Sequence, residues 1–421
     1  MSDANAPVPG SRVCVVGVGY VGLPLAIALS AAGFQVTGYD TNRRRVEELA
    51  LGRPGVETVT PSRLRRALRA GTFVPTSDPA DLSGSQAIVI AVPTPIHPDG
   101  TPDTAALESA ARLTVEEAAP GTLVVVESTS YPGTARTFLL PGLSRRLGQA
   151  GQDFYLASVP ERIDPGNRRY RLTTTPRLIG GVTPACGERA RSLYEHVVHR
   201  CQVVASPEVA EMAKLLENAF RNVNIALVSE LAILCERTGV DVFEVIRAAA
   251  TKPFGFMPFI PGIGVGGECI PVDPAYLTWY ARRKGLPMRT LESAIETNEA
   301  MPFHAVERIE AALAADGEEL AGASILVLGV SYKPDVADLR NSPALRVLVE
   351  LHRRGAAVSY HDPLVPSLTL DDIALTSTEL TRTALADASL CVVLTRHSRL
   401  DLARVRASTR RYLSLAPVLG P

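Results

Sequence analysis

A lone thiol set in a glycine-rich turn is the feature of this sequence that most invites chemistry. Cys269 lies in PGIGVGGECIPVDP, residues 261–274, after Gly264, Gly266 and Gly267 and four residues before Asp273. Buried structural cysteines usually occupy apolar runs. A thiol at its ordinary pKa of ~8.5 is a poor nucleophile at neutral pH, so a reactive Cys269 needs help from its neighbours. Lys214 and Asn218 are four residues apart in a stretch of helical pattern, which puts a cation and an amide donor on one face. Thr129, in VESTSYPGT, follows an apolar run expected to be a parallel strand, and Glu161, in SVPERIDPGN, falls in a loop of the same type. Ligands gather at the carboxyl ends of such strands.

A second constellation lies near the N-terminus. Gly17-Val18-Gly19-Tyr20-Val21-Gly22 fits G-x-G-x-x-G between a strand and a helix. Gly17 permits the tight turn, Gly19 lets a pyrophosphate approach the backbone, and Gly22 lets helix and strand pack closely. The helix N-terminus offers free N–H groups and the positive end of its dipole to phosphates. Asp40 ends the next strand, where it would accept hydrogen bonds from ribose hydroxyls. An aspartate there favours NAD over NADP, because a 2′-phosphate would meet a like charge. Arg43–Arg45 stand close by as an alternative phosphate site. FAD is a further alternative, with no other flavin-type feature in the chain. A dinucleotide and a nucleophilic cysteine together suggest thioester chemistry. Hydride leaves an alcohol, the thiolate adds to the aldehyde, a second hydride leaves the thiohemiacetal, and water hydrolyses the thioester.

The elements that must position these residues show in the apolar pattern. Val13–Val16, the helical segment to about Ala32, the break at Gly33 and the run Phe34–Tyr39 make a strand–turn–helix–strand unit. Apolar runs return at Ala87–Val92 and Leu123–Glu127, and alternation with helices implies a parallel sheet covered on both faces. From Pro207 to about Arg237 the chain reads as one long helix that stops at Gly239, a natural spine and dimerisation element. Further helices are expected over 275–284 and 288–315. From Ala323 the first rhythm returns as a degenerate repeat: apolar strand, Gly329, helix, Gly355, strand, Asp362. It lacks the second and third fingerprint glycines and carries about ten extra residues, so a different ligand is expected. The fold class is therefore α/β, with two Rossmann-like parallel-sheet domains joined by a long central helix and a helical middle domain. The expected domains are 1–206, 207–316 and 317–421.

Bulk properties agree. The 421 residues are too many for one core and suit two or three domains. Net charge is −1 and the basic residues are scattered, which gives no support to nucleic-acid or polybasic membrane binding. The polar start MSDANAPVPG carries no signal-peptide pattern, and no run is long enough to span a bilayer. The six cysteines (14, 186, 201, 235, 269 and 391) form no CxxC pair, so a reduced, cytoplasmic protein without a metal site is expected.

With these residues in view, the chain resembles the UDP-glucose/GDP-mannose dehydrogenase family over about Arg12–His361. The matching motifs, in family order, are GVGYVGLPLA (17–26), VPTP (92–95), ESTSYPGT (127–134), PERIDPGN (160–167), EMAKLLENAFRNVNIALVSE (211–230), GGECIPVDPAYL (266–277) and SYKPDVADLRNSPAL (331–345). The resemblance implies a four-electron oxidation of a sugar C6 alcohol to a carboxylate with two NAD. It implies Cys269 as nucleophile, Lys214 and Asn218 at the oxyanion with Lys214 also acid/base, and Asp273 orienting or activating water. Glu161 and Thr129 would position the hydrolytic water. Tyr20, Val21, Asp40, Arg45, Thr94 and Thr129 would line the NAD site. Arg162, Ile163, Arg221, Gly266, Tyr332, Lys333 and Arg340 would hold the nucleotide-sugar. Two cations in a loop after a strand, Lys333 and Arg340, suit a diphosphate on their own chemistry as well. On this reading the glycines give the cysteine loop room to close over a sugar.

The loops PERIDPGN and GGECIPVDP, with KPFGFMPFIPG (252–262) and AYLTWYARRKG (275–285), resemble the UDP-N-acetylhexosamine branch, UDP-N-acetylglucosamine 6-dehydrogenases in particular. UDP-N-acetylglucosamine is thus the expected substrate, with UDP-glucose the alternative, and a homodimer or higher homo-oligomer is the expected assembly. Three departures stand out. Glu268 replaces the histidine usual before the cysteine, and its carboxylate is expected to raise the thiol pKa unless it points away. An arginine often sent from a neighbouring subunit is missing near Pro253, where Lys252 is the nearest cation. The ending RRYLSLAPVLGP lacks a usual Asp/Arg terminus. Two other readings compete: a one-step hydroxyacid dehydrogenase needing no cysteine, and a non-catalytic nucleotide-sugar binding protein, which would have no use for a nucleophile.

Overall fold

The computed structural model describes residues 7–164, 167, 169–370 and 373–416. Parts of the N-terminal tail, Pro165 and Gly166 of the 160–167 motif, and the last five residues of the C-terminal ending lie outside them. The chain divides into two compact units, Met1–Glu217 and Asn218–Pro421.

The first unit is built on an eight-stranded sheet of order β3-β2-β1-β4-β5-β6-β7-β8. Its strands are β1 (Arg12–Val16), β2 (Gln35–Tyr39), β3 (Phe73–Thr76), β4 (Ala87–Ile90), β5 (Leu123–Val126), β6 (Tyr155–Ser158), β7 (Arg177–Gly181) and β8 (Cys201–Val204). β1 to β6 are parallel. β7 pairs antiparallel with β6, and β8 runs parallel to β7, so one edge reverses direction, which the alternating pattern did not foretell. β4 and β5, AIVI and LVVV, are buried at every residue, as strands covered on both faces must be. Successive β1 residues feed opposite layers: Val13 and Val15 pack with Leu23, Leu29 and Phe34, whereas Cys14 and Val16 pack with Ile88, Leu107 and Val124. The chain order reverses between β1 and β4, and the carboxyl ends of β1, β4, β5 and β6 are in register there. This switch point is where open α/β sheets bind ligands.

The second unit opens with the remainder of the helix Pro207–Thr238, followed by helices Val242–Ala249, Val272–Arg283 and Arg289–Ala314. The helix expected from 275 begins at Val272, which puts Asp273 in its first turn. A parallel sheet follows in the order β10-β9-β13-β14: β9 (Ser324–Leu328), β10 (Ala357–His361), β13 (Leu390–Val393) and β14 (Tyr412–Ser414). A small hairpin of β11 (Ser367–Leu370) and β12 (Ile373–Thr376) stands beside it in sequence.

The repeat read from sequence is present atom for atom at its turn. Gly17 N–H donates to the Tyr39 carbonyl at 2.8 Å, and Gly329 N–H to the His361 carbonyl at 2.9 Å. Val18 N–H reaches Asp40 Oδ2 at 3.2 Å, and Val330 N–H reaches Asp362 Oδ2 at 2.8 Å. The environments then diverge. Asp40 is half-buried at the sheet edge. Asp362 is buried and also accepts from His397 Nε2 at 3.0 Å, while His397 Nδ1 accepts from Asp335 N–H at 3.0 Å. In the second copy the acidic residue holds the loop 331–335 instead of facing a ribose.

Candidate active site

In the first unit the glycine fingerprint has a steric basis. Gly17 has φ +90°, and a Cβ there would lie 2.6 Å from the Ala91 carbonyl oxygen. A Cβ on Gly22 would lie 1.9 Å from the carbonyl oxygen of Gly17. Gly19 differs: nothing stands within 4 Å of where its Cβ would be. The turn thus offers open backbone at one position only, the one a pyrophosphate must approach. Asp40 lies across it, accepting from Val18 N–H and, through Oδ1, from Asn42 N–H at 2.9 Å. Arg45 braces the turn: Nε and Nη2 donate to the Val18 carbonyl at 3.1 and 2.9 Å, and Nη1 to the Pro54 carbonyl at 2.6 Å. Burial lowers its pKa, against the opposing pull of Asp40. Tyr20 is exposed and Val21 half-buried beside the turn. Open space at Gly19 and a facing carboxylate fit NAD.

Thr94, Thr129 and Glu161 follow β4, β5 and β6, at the same edge of the sheet. Ser128 Oγ donates to the Val92 carbonyl at 2.8 Å and ties two of these loops together. Beneath them lies a buried charge cluster that sequence reading missed. Glu127 accepts from Tyr194 Oη at 2.7 Å and faces Arg177 Nη2 at 3.6 Å. Arg177 Nη1 donates to the Pro160 carbonyl at 3.3 Å, just before Glu161. Burial raises the Glu127 pKa while Arg177 and Tyr194 oppose it. The ion pair joins the end of β5 to the start of β7, and the bond from Arg177 to the Pro160 carbonyl extends the link to the segment after β6, so the loops carrying Thr129 and Glu161 are held together.

Glu161 accepts from Ile163 N–H. Arg162, expected at the nucleotide-sugar, pairs with Glu217 and donates from Nη1 to the Pro176 carbonyl at 2.9 Å. Lys214 is buried. Glu211, one turn earlier, accepts from Gly133 N–H at 2.7 Å, and burial pushes its pKa up to about 7.

In the second unit the long helix clasps the cysteine loop at two points. Asn218 Nδ2 donates to Asp273 Oδ2. Asn222, one turn further, donates from Nδ2 to the Ile270 carbonyl at 3.1 Å. Asn298 Nδ2 in turn donates to the Asn222 carbonyl at 3.0 Å. Cys269 is half-buried just before these anchors, and its carbonyl accepts Asp273 N–H at 2.9 Å. Arg221 is exposed on the helix. Asn222 stands in the quoted helix motif four residues after Asn218, and that repeat was its available signal.

The loop glycines serve packing more than openness. A Cβ on Gly264 would lie 2.7 Å from the Asn298 carbonyl, the acceptor that Pro302 leaves without its helical N–H partner. A Cβ on Gly266 would lie 2.6 Å from Tyr332 Cβ, and one on Gly267 3.0 Å from the Tyr332 ring. Gly267 N–H donates to the Arg340 carbonyl at 2.9 Å. Lys333 is half-buried in the same segment, and its carbonyl accepts from Ser331 Oγ at 3.1 Å. The structure therefore brings Asn218, Gly266, Cys269, Asp273, Tyr332 and Arg340 into one connected framework.

Three models of one family match the chain: its NAD binding domain over residues 11–198, its central domain over 208–300 and its UDP binding domain over 326–414. The chain belongs to the UDP-glucose/GDP-mannose dehydrogenase family. Its members are NAD-dependent nucleotide-sugar dehydrogenases, and this chain is an oxidoreductase of that class. It is 36% identical over 356 residues to the UDP-N-acetyl-D-glucosamine 6-dehydrogenase of Salmonella typhi, covering 84% of this chain and 82% of that protein. It is 38% identical over 358 residues to the UDP-N-acetyl-D-mannosamine dehydrogenase of Pyrococcus horikoshii, covering 84% of each. Among solved structures, a UDP-D-ManNAc dehydrogenase from Pyrococcus horikoshii superposes with TM-score 0.86 at 33% identity over 96% of this chain and 95% of that one. A UDP-glucose dehydrogenase from Pyrobaculum islandicum gives 0.83 at 28% identity over 99% of each. Among the described residues of this dehydrogenase no helix is long and apolar enough to cross a membrane, and no group of three or more His, Cys, Asp or Glu is placed to hold a metal ion.

Proposed function

We propose that this dehydrogenase oxidises the C6 alcohol of UDP-N-acetylglucosamine to the carboxylate, with Cys269 as nucleophile. Bound NAD accepts hydride. The chain's residues handle the carbon, the protons and the water. Cys269 Sγ bonds to the C6 aldehyde carbon, Lys214 and Asn218 stabilise the resulting oxyanion, and Lys214 moves the proton. After the second hydride leaves, water adds to the thioester, oriented by Asp273, Glu161 and Thr129, and the C–S bond breaks. Each sugar thus yields two NADH and consumes one water.

The observation that carries this reading is the double clasp on the cysteine loop, Asn218 to Asp273 and Asn222 to the Ile270 carbonyl. A thiol that only filled space would not require the residues that follow it to be fixed at two points by buried amides. For the substrate branch, similarity to acetamido-sugar dehydrogenases supports the choice. The test is NADH yield from a limiting amount of each UDP-sugar in excess NAD. Two NADH per UDP-N-acetylglucosamine is expected. Two from UDP-N-acetylmannosamine or UDP-glucose alone would overturn the substrate, and one per sugar would overturn the thioester step.

The reading includes self-association. Phe220, Leu227 and Leu234 are exposed and recur every seven residues on the long helix, an apolar stripe suited to a second copy. Light scattering on the purified chain is expected to give at least a dimer, and Leu227→Glu with Leu234→Glu to reduce it to monomer.

A further inference from the structure

Glu268 stands next to the expected nucleophile, and its carboxylate pairs with Arg340 Nη1. Arg340 also holds Asp338, from Nε at 2.9 and 3.0 Å and from Nη2 at 2.5 Å. The two segments are fastened at backbone level too. Arg340 gives its carbonyl to Gly267 N–H at 2.9 Å, and Asn341 Nδ2 donates to the Gly267 carbonyl at 3.0 Å. Asn341 adopts φ 48°, in the left-handed region that asparagine tolerates better than most side chains. Tyr332 packs where Gly266 and Gly267 lack Cβ atoms. Every residue from 266 to 268 is thus joined to the segment 332–341.

At this junction the Arg340 guanidinium meets two carboxylates, Glu268 and Asp338. Burial works against the cation, but Asp338 and Glu268 outweigh it and raise the Arg340 pKa. An arginine whose fork faces two carboxylates presents little net positive field to a diphosphate, so the role expected from family resemblance is not the one this geometry favours. What the pair does accomplish is steric and electrostatic at once. It fixes the residue before Cys269, and it neutralises a carboxylate that would otherwise be free to sit beside the thiolate.

We propose that the Glu268–Arg340 ion pair is a positioning device for the cysteine loop, in which Arg340 holds the Glu268 carboxylate away from the Cys269 thiol. This rests on the reading of Cys269 as nucleophile. Glu268 and Arg340 are positioning residues: they act through the loop and not on the sugar.

The test is a set of variants of the full chain: Arg340→Gln, Glu268→Gln and the double substitution. Each is measured for kcat and KM, and for the rate of Cys269 carbamidomethylation by iodoacetamide without substrate, followed by peptide mass. Arg340→Gln is expected to slow alkylation and lower kcat about tenfold, with KM for the UDP-sugar within about threefold, because the freed carboxylate opposes the thiolate. Glu268→Gln alone is expected to stay within about threefold of the parent, since its charge is already neutralised. Adding Glu268→Gln to Arg340→Gln is expected to restore most of the alkylation rate, a rescue that lost packing would not produce. If Arg340→Gln fails to fold, Arg340→Lys keeps a cation without the fork, and its alkylation rate is expected to stay near the parent's. A KM raised tenfold or more with alkylation unchanged would make Arg340 a substrate ligand and end the proposal. A double variant as slow as Arg340→Gln would end it too. Cys269→Ala separates the two readings: continued acid formation by that variant defeats the nucleophile, while the alkylation comparison decides the pair without turnover.

Discussion

Asn222 donates to the carbonyl of Ile270 at 3.1 Å, so the residue that follows Cys269 is held by a side chain 48 positions away in sequence. Asn222 is itself buried and supports Asn298 Nδ2 through Oδ1 at 3.2 Å. Asn222→Ala leaves the Ile270 carbonyl without that donor, at a cost of about 1–3 kcal/mol in stability. It also lets the thiol drift, and misplacement by an ångström is worth about 100-fold in rate. The expected result is a kcat lowered between about ten- and 100-fold, with NAD affinity unchanged. Steady-state kinetics and NAD titration check it.

The glycine turn gives a paired prediction. Gly22→Ala forces a methyl against the Gly17 carbonyl, where its Cβ would have 1.9 Å. That substitution is expected to destabilise the first unit and to lower NAD binding with it. Gly19→Ala places its methyl in open space, so the thermal midpoint should stay within about 2 °C of the parent, as a change well under 1 kcal/mol would give. NAD affinity should nonetheless fall at least about tenfold, because the methyl occupies the approach of the pyrophosphate. Calorimetric melting and NAD titration of both variants separate folding from binding.

Glu211 makes stability depend on pH. Burial raises its folded pKa to about 7, above the ordinary carboxylate value, so the folded chain holds a proton that the unfolded chain has released. The stabilisation is full below the unfolded pKa and is lost as pH rises through about 7. Glu211→Gln keeps an acceptor for Gly133 N–H and removes the titration. Denaturation of parent and variant should coincide near pH ~4, and the variant should be the more stable at pH ~8, by a difference on the order of 3 kcal/mol at most. Equal stability differences between parent and variant at both pH values would show that the Glu211 pKa is the same folded and unfolded, and would overturn the prediction.

Arg177 and Glu127 are nearly fully buried and neutralise each other beneath the Thr129 and Glu161 loops. Arg177→Met leaves Glu127 an uncompensated buried carboxylate, and breaking such a pair costs about 3–5 kcal/mol. Adding Glu127→Gln should recover a large part of that loss, since the isolated charge is gone. Urea denaturation of the two single variants and the double gives the cycle, and a double variant less stable than Arg177→Met would refute the pairing.

The sequence by itself determined what depends on local order. The strand, turn and helix around Gly17–Gly22 were legible because apolar period, glycine spacing and the terminal Asp40 lie within about thirty residues. The long helix was legible to within a residue or two of Pro207–Thr238, since its helical run is bounded by Pro207 and Gly239. The repeat around Gly329 and Asp362 was legible for the same reason, and the fold class followed.

Tertiary structure alone decided how distant residues meet. The reversed edge strands β7 and β8 depend on which strand the chain finds as neighbour, which apolar pattern does not encode. The openness expected at Gly266 and Gly267 became close packing against Tyr332, more than sixty residues on. Glu268 was legible as a carboxylate beside a thiol, yet only folding supplied Arg340 to turn it aside. Arg177 lay in no motif, and its meaning came from the burial that sets Glu127 opposite it. Periodicity reports the face a residue occupies. Charge partners and missing Cβ atoms take their meaning from chain segments that only the folded core brings near.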